Sequence, residues 1–165
     1  MRHVRSIRSL LCVPAAALLL TFMAQPAAAG FEEALKALQG SDMATAEKEL
    51  LPLAKERDPR AEFLLGFYVY GSGESKLFDV NKAAPLLLDA AERGYLPAMI
   101  PLAGAFAEGN GVPKSSFEAY KWITIAERWN VPNADLALQQ AARDLSPDDI
   151  AKAKAAALAY SFKSK

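Results

Sequence analysis

The side chains that carry most enzymatic chemistry are nearly missing from this 165-residue chain, which has one histidine, His3, and one cysteine, Cys12. Both precede residue 30, in a stretch that reads as an export signal. Arg2, Arg5 and Arg8 open it, an apolar run from Leu10 to Met23 follows, and Ala27-Ala28-Ala29 stands before Gly30. A basic start, an apolar core and small residues at an A-x-A processing site are the three parts of a secretory signal peptide. The run falls short of the roughly 20 residues a membrane-spanning helix needs, and Pro14 interrupts it. Cys12 precedes most of the apolar run, so a lipid-anchoring role is not expected. The expectation is cleavage before Gly30, no stable membrane insertion afterwards, and a periplasmic or secreted product. A mature chain of residues 30–165 has neither histidine nor cysteine. That excludes disulfides, Cys/His zinc sites, Ser-His-Asp and Cys-His nucleophiles and imidazole acid-base catalysis.

Carboxylates are what remains for catalysis or metal binding. Asp148-Asp149, Glu32-Glu33 and Glu47 with Glu49 are clustered, but none alternates around a central glycine as a calcium loop does. They read as first-turn charges and solvated faces, and neither a metal nor a cofactor is expected. Glycoside hydrolysis needs only two carboxyl groups, and Glu62 with Glu108 is a conceivable pair that nothing in the sequence selects. Gly71-Ser72-Gly73 and Gly109-Asn110-Gly111 follow helical segments and lack a Gly-Lys-Ser/Thr element, so they are helix-ending turns and not phosphate loops. Loss of the three N-terminal arginines leaves 16 basic against 19 acidic side chains, a net charge of −3. Nucleic acid and anionic membrane surfaces are therefore not expected partners.

Aromatic side chains are the more informative surface candidates. Phe63, Phe67 and Tyr70 stand at i, i+4 and i+7, a stripe separate from the one through Ala61, Leu64 or Leu65, and Tyr68. Thirty-seven residues on, the matching positions are Ile100, Gly104 and Ala107. Large groups beside small ones could form a groove for a peptide side chain or helix, and these six are the candidate partner-binding residues. The competing reading is a helix in mid-stack, apolar all round because it is buried on both sides. Trp122 is expected in the core, and Trp129 near a helix end.

From Phe31 onward the apolar spacing has the 3.6 period of helices, and no segment alternates long enough for a strand. Turn residues cut the chain into about eight helical segments. Ser115 with Glu118 is a capping box. Ser146-Pro147 with Asp149, and Asp58-Pro59, offer an N-cap followed by proline at the first helical position. Pro85 can sit in a first turn, whereas Pro52 and Pro101 are expected to bend their helices.

Comparing the chain with itself reveals a repeat of about 36 residues, the mark of a stacked array. Ala61 and Leu65 match Ala98 and Leu102 at an offset of 37, Gly71 and Gly73 match Gly109 and Gly111 at 38, and Ala83, Leu86 and Ala90 match Ala119, Trp122 and Ala126 at 36. In the glycine register the earlier copy is one residue shorter. Ala46 and Ala54, 37 residues before Ala83 and Ala91, mark a degenerate third copy. Each copy is a helix, a glycine turn and a second helix.

The stretch AMIPLAGAFAEGNGV at 98–112 resembles the first-helix signature A-x-x-x-L-G-x-x-Y-x-x-G-x-G-V of Sel-one-like repeats (SLR), relatives of the tetratricopeptide repeats. Lys82-Ala83, Leu86 and Ala90-Ala91-Glu92-Arg93-Gly94 resemble the family's second helix, and Glu118-Ala119, Trp122 and Ala126 repeat it. Ala103 replaces the signature glycine and Phe106 the tyrosine. The resemblance covers residues 42–130 and implies an all-α fold, an α/α superhelix. The expected order is a signal peptide at 1–29, a degenerate repeat at 31–57, repeats at 58–94 and 95–130, capping helices at 133–160 and a tail at 161–165. It also implies an interaction scaffold, often accessory to envelope or secretion machinery. The leading expectation is an exported, non-catalytic adaptor that holds a protein or peptide on its concave first-helix face. A carboxylate-dependent enzyme acting on envelope glycans and a self-assembling structural subunit are the alternatives.

Overall fold

The structure, a computed structural model, describes residues 26–163; most of the expected signal peptide lies outside them. Eight α-helices follow one another: α1 (Pro26–Gln39), α2 (Met43–Lys55), α3 (Pro59–Leu64), α4 (Val80–Glu92), α5 (Met99–Glu108), α6 (Ser116–Arg128), α7 (Ala134–Ala141) and α8 (Pro147–Ala159). A π-turn at Leu65–Val69 prolongs α3, and 3₁₀ turns at Leu96–Ala98 and Ala142–Asp144 precede α5 and follow α7. No strand occurs among the described residues, so the all-α expectation holds.

Helix ends repeat one chemistry. Asp42, Asp58, Asp79, Ser115 and Ser146 each accept a backbone N–H of the first turn on a side-chain oxygen, satisfying a donor that has no partner within the helix. At the other end the chain turns through a left-handed residue, at Ser41, Arg57, Gly94 and Asn130. That residue and its successor return their N–H groups to the last turn: Gly94 to Ala91 and Tyr95 to Ala90, Asn130 to Glu127 and Val131 to Ala126. These paired bonds end each helix and set the angle of the next. Arg57, Gly94 and Asn130 are 37 and 36 residues apart, as are the caps Asp42, Asp79 and Ser115. The repeat thus extends to the backbone terminations.

Packing runs along the chain: α1 on α2, α3 on α4 and α5 on α6 form pairs, α2 on α3 and α4 on α5 join them, and α7 and α8 close on α6. Nearest-neighbour stacking of this kind defines a solenoid. Buried alanines let the helices approach, with Ala46, Ala83 and Ala119 at equivalent places. Leu50, Leu65, Leu102 and Trp122 fill the volume between them. Phe63 packs against both halves of the core. Pro101, expected to bend a helix, falls in the first turn of α5 because a 3₁₀ turn precedes it. There it forfeits no helical hydrogen bond.

Of the expected tail, residues 161–163 are described and pack back on the molecule. Lys163 donates its backbone N–H to Glu92 at 2.7 Å, and its ammonium pairs with the Glu92 carboxylate.

Candidate functional site

The first helix of the middle pair is built around an extra residue. Asp79 donates its N–H to the carbonyl of Tyr70 at 2.9 Å, and Ser115 donates to that of Phe106 at 2.8 Å. Both are N-caps of second helices. Tyr70 is therefore equivalent to Phe106 at an offset of 36, whereas Ala61 and Leu65 match Ala98 and Leu102 at 37. Between them the earlier copy holds one residue more, and the π-turn, where Tyr70 donates to Leu65 five residues back, takes it up. The glycine register pointed the other way because Gly71 has no counterpart in the later copy. A Cβ on Gly71 would lie 2.5 Å from the carbonyl oxygen of Gly66, so glycine there serves the tight exit from the π-turn.

This insertion corrects the aromatic stripe. Tyr70 is 3% exposed, donates its hydroxyl to Glu47 of α2, and holds the Lys82 ammonium 5.0 Å from its ring centroid. Burial and the Glu47 carboxylate push its phenol above the ordinary range. It fastens α2 to α3 and faces no partner. Helical i, i+7 arithmetic fails across a π-turn because the added residue rotates everything after it. Tyr68 takes the surface place instead, 43% exposed beside Phe67 at 40%. Phe67 stacks on Phe63 with centroids 5.5 Å apart and meets Tyr68 edge-on at 4.9 Å, and Phe63 also touches Tyr95 at 5.4 Å. Such pairs hold exposed rings in fixed geometry.

Phe67 borders a groove of about 230 Å³ whose opposite wall is α5, through Pro101 and Gly104, and whose end is closed by Phe78, 52% exposed. A Cβ on Gly104 would meet nothing within 4 Å. A Cβ on Gly66, by contrast, would stand 3.0 Å from Ala83 and Leu87. Of the six candidates, the structure brings Phe67 and Gly104 to one groove, with Phe63 stacked behind Phe67. Ile100 is half-buried against the core and does not line it, nor does Ala107, which is exposed. Phe78 sits in a loop whose conformation no periodicity announces. Tyr68 was hidden by the register.

Glu62 and Glu108 are not brought together. Glu108 lines the groove just described and accepts a hydrogen bond from the Asn110 amide. Glu62, 2% exposed, borders a different cleft with Asp89. Its Oε2 has no hydrogen-bond partner, and Arg93 Nε stands 3.9 Å away. Asp89 accepts from Arg57 at 2.7 Å and Arg93 at 3.3 Å. Burial first, and then the facing Asp89 carboxyl, push Glu62 up to about 8. A neighbouring negative charge disfavours the ionised form of a buried carboxyl. The free oxygen is closed to solvent. Among the described residues no three Asp, Glu, His or Cys side chains converge as a metal site requires.

Stacked helix pairs with this turn chemistry define an α-helical repeat protein, and its fold is the SLR fold. The chain superposes on the crystal structure of a protective antigen present in uropathogenic Escherichia coli strains displaying an SLR fold, with a TM-score of 0.71 and 19% identity. The match covers 79% of this chain and 29% of the antigen, so the chain spans under a third of that protein's length. No family model and no curated protein matches the sequence.

Proposed function

We propose that the chain is an exported, non-catalytic interaction scaffold that captures a segment of a partner protein in the groove between Phe67 and Gly104. The carrying observation is the exposed Phe67–Tyr68 pair, propped by Phe63, beside a groove left open by Gly104. Rigid aromatic rings lose little conformational entropy on binding, and a neighbouring apolar concavity accepts an apolar side chain. SLR proteins as accessories to envelope or secretion machinery fit this reading.

Export accords with where α1 begins to pack. Phe31 packs against the core, with the Arg60 guanidinium 4.5 Å from its ring centroid, and Ala34 is fully buried. Ala29, just before the expected cleavage, is exposed. The N-terminal sequence of the protein recovered from the periplasm or medium should begin at Gly30; recovery of full-length protein from the cytosol overturns export.

Phe67→Ala with Tyr68→Ala tests capture from one side of the groove and Gly104→Leu from the other. Both variants should keep the wild-type circular dichroism and lose the proteins that the mature wild type retains from its envelope fraction. Unchanged retention by the folded variants overturns the site.

A further inference from the structure

Residues 160–163, after α8, rest on the molecule as a ligand would. From Tyr160, whose backbone is extended at φ −71° and ψ 134°, alternate side chains turn inward. The Tyr160 ring meets Trp122 edge-on at 5.1 Å, and Phe162 meets Trp129 at 6.0 Å. Ser161 and Lys163 face solvent. Phe162 lies over Gly94, where a Cβ would be 3.4 Å from the ring. The equivalent positions at the ends of α2 and α6 carry Arg57 and Asn130, so among these three second helices α4 alone ends on a bare floor. Lys163 completes the contact with one N–H to the Glu92 carbonyl and its ammonium on the Glu92 carboxylate. A helix C-terminus favours both, since its carbonyls lack partners and its dipole attracts a cation.

The segment makes one described backbone hydrogen bond and two aromatic insertions. Helix α8 has anchors of its own: Ala153 and Ala157 are fully buried, and Arg128 donates to the carbonyl of Ala157 at 2.7 Å. The segment can therefore lift while α8 stays docked. We propose that residues 160–163 are a peptide bound in cis, and that the groove under them, formed by Glu92, Gly94, Trp122 and Trp129, is a second interaction site. Its partner is an extended protein segment of pattern aromatic-x-aromatic-Lys. The chain's own segment occupies it until displaced and sets a threshold for binding, because a tethered ligand acts at millimolar effective concentration. This site is separate from the Phe67 groove, and either can fail without the other.

The probe is a fluorescently labelled peptide spanning residues 159–165, titrated by anisotropy into the full mature chain. Phe162→Ala should bind it at least about tenfold more tightly than wild type, because the cis competitor is weakened. Adding Glu92→Lys should abolish the gain, as should replacing the phenylalanine of the peptide by alanine. Lys163→Glu weakens the segment through its ion pair alone, leaves both rings in place, and should give a smaller gain in the same direction. Circular dichroism confirms the fold of each variant. If neither Phe162→Ala nor Lys163→Glu binds more tightly than wild type, or the alanine peptide binds equally well, residues 160–163 are a fixed part of the fold and the proposal is overturned.

Discussion

A Cβ on Gly111 would stand 1.9 Å from the carbonyl oxygen of Val80, the first residue of α4. Gly111 lies in the turn between α5 and α6 with φ +73°. Two repeats thus meet backbone to backbone, at a place where the conformation alone already favours glycine.

Gly111→Ala adds a forbidden contact to a left-handed conformation, and the cost should be about 3 kcal/mol or more. Gly104→Ala should instead stabilise the chain by about 0.5–1 kcal/mol, because that glycine lies within α5 and faces open space. Urea unfolding of the two variants measures both. Similar destabilisation by each would mean that the Gly111 approach to Val80 is not the constraint described.

Tyr70→Phe supplies the residue type found at the equivalent Phe106. It removes only the hydroxyl given to Glu47, and Glu47 is partly exposed, so water can replace the lost donor. The expected loss is about 1 kcal/mol. Tyr68→Ala and Phe67→Ala, on the exposed side, should each cost less than about 1 kcal/mol. A Tyr70→Phe variant as stable as wild type would show that the hydroxyl adds nothing to the α2–α3 contact.

Trp122 lies in the core at 2% exposure with its indole N–H unpartnered. Trp122→Ala should cost about 4 kcal/mol through the cavity it leaves. Trp122→Phe should cost under about 1.5 kcal/mol, since it also removes a buried donor that had no acceptor. A larger penalty for phenylalanine would reveal a partner for the indole nitrogen.

Stability should depend on pH through Glu62. Its folded value is raised to about 8 from an ordinary 4.5, so the native state holds the proton longer than the unfolded chain does. The stability it contributes is full below pH 4.5 and is lost as pH rises toward 8. Asp89, Arg93, Arg57 and Asp58 are the charged groups around it. Asp58 acts oppositely: its hydrogen bonds with Arg60 lower its value, so its contribution is present above 3.8 and fades as pH falls through the lowered folded value. Glu62→Gln should flatten the Tm profile between pH 5 and 8 and raise Tm at pH 8. An unchanged slope in that variant would remove Glu62 as its source.

Most helix ends were legible because a cap is a local device. Ser115 with Glu118, Ser146-Pro147 and Asp58-Pro59 each place an accepting side-chain oxygen within three residues of a backbone N–H, and the structure makes those bonds. The repeated alanines were legible for a similar reason, since close helix contacts demand small side chains at fixed spacing. Tyr70 was misplaced because an i→i+5 turn leaves no mark on apolar spacing over five residues. The change from an offset of 37 to one of 36 contained the clue, and a spurious match at Gly71 concealed it. Pairings such as Glu62 with Asp89, Phe67 with Gly104 and Lys163 with Glu92 join different elements, so they could not be read from spacing within one. The Phe67 groove is half visible in the sequence: the repeat spacing marks its two walls, Phe67 and Gly104, whereas the places of Phe78 and Tyr68 emerge only from the fold.

A row of stacked helix pairs has free ends, and in such a row each end can peel away without disturbing the middle. Here Lys163 reaches a residue 71 positions earlier in the chain. Its contact on Glu92 ties the last element to the second helix of the middle pair and passes over α5, α6 and α7. The array is in this sense a loop closed on itself. While residues 160–163 are seated, fraying from the C-terminal side must first undo this long-range contact, so the later pairs should melt together with the middle one, and amides of α6 and α8 should exchange hydrogen in the same cooperative step as those of α4; Phe162→Ala, which loosens the segment, should uncouple them.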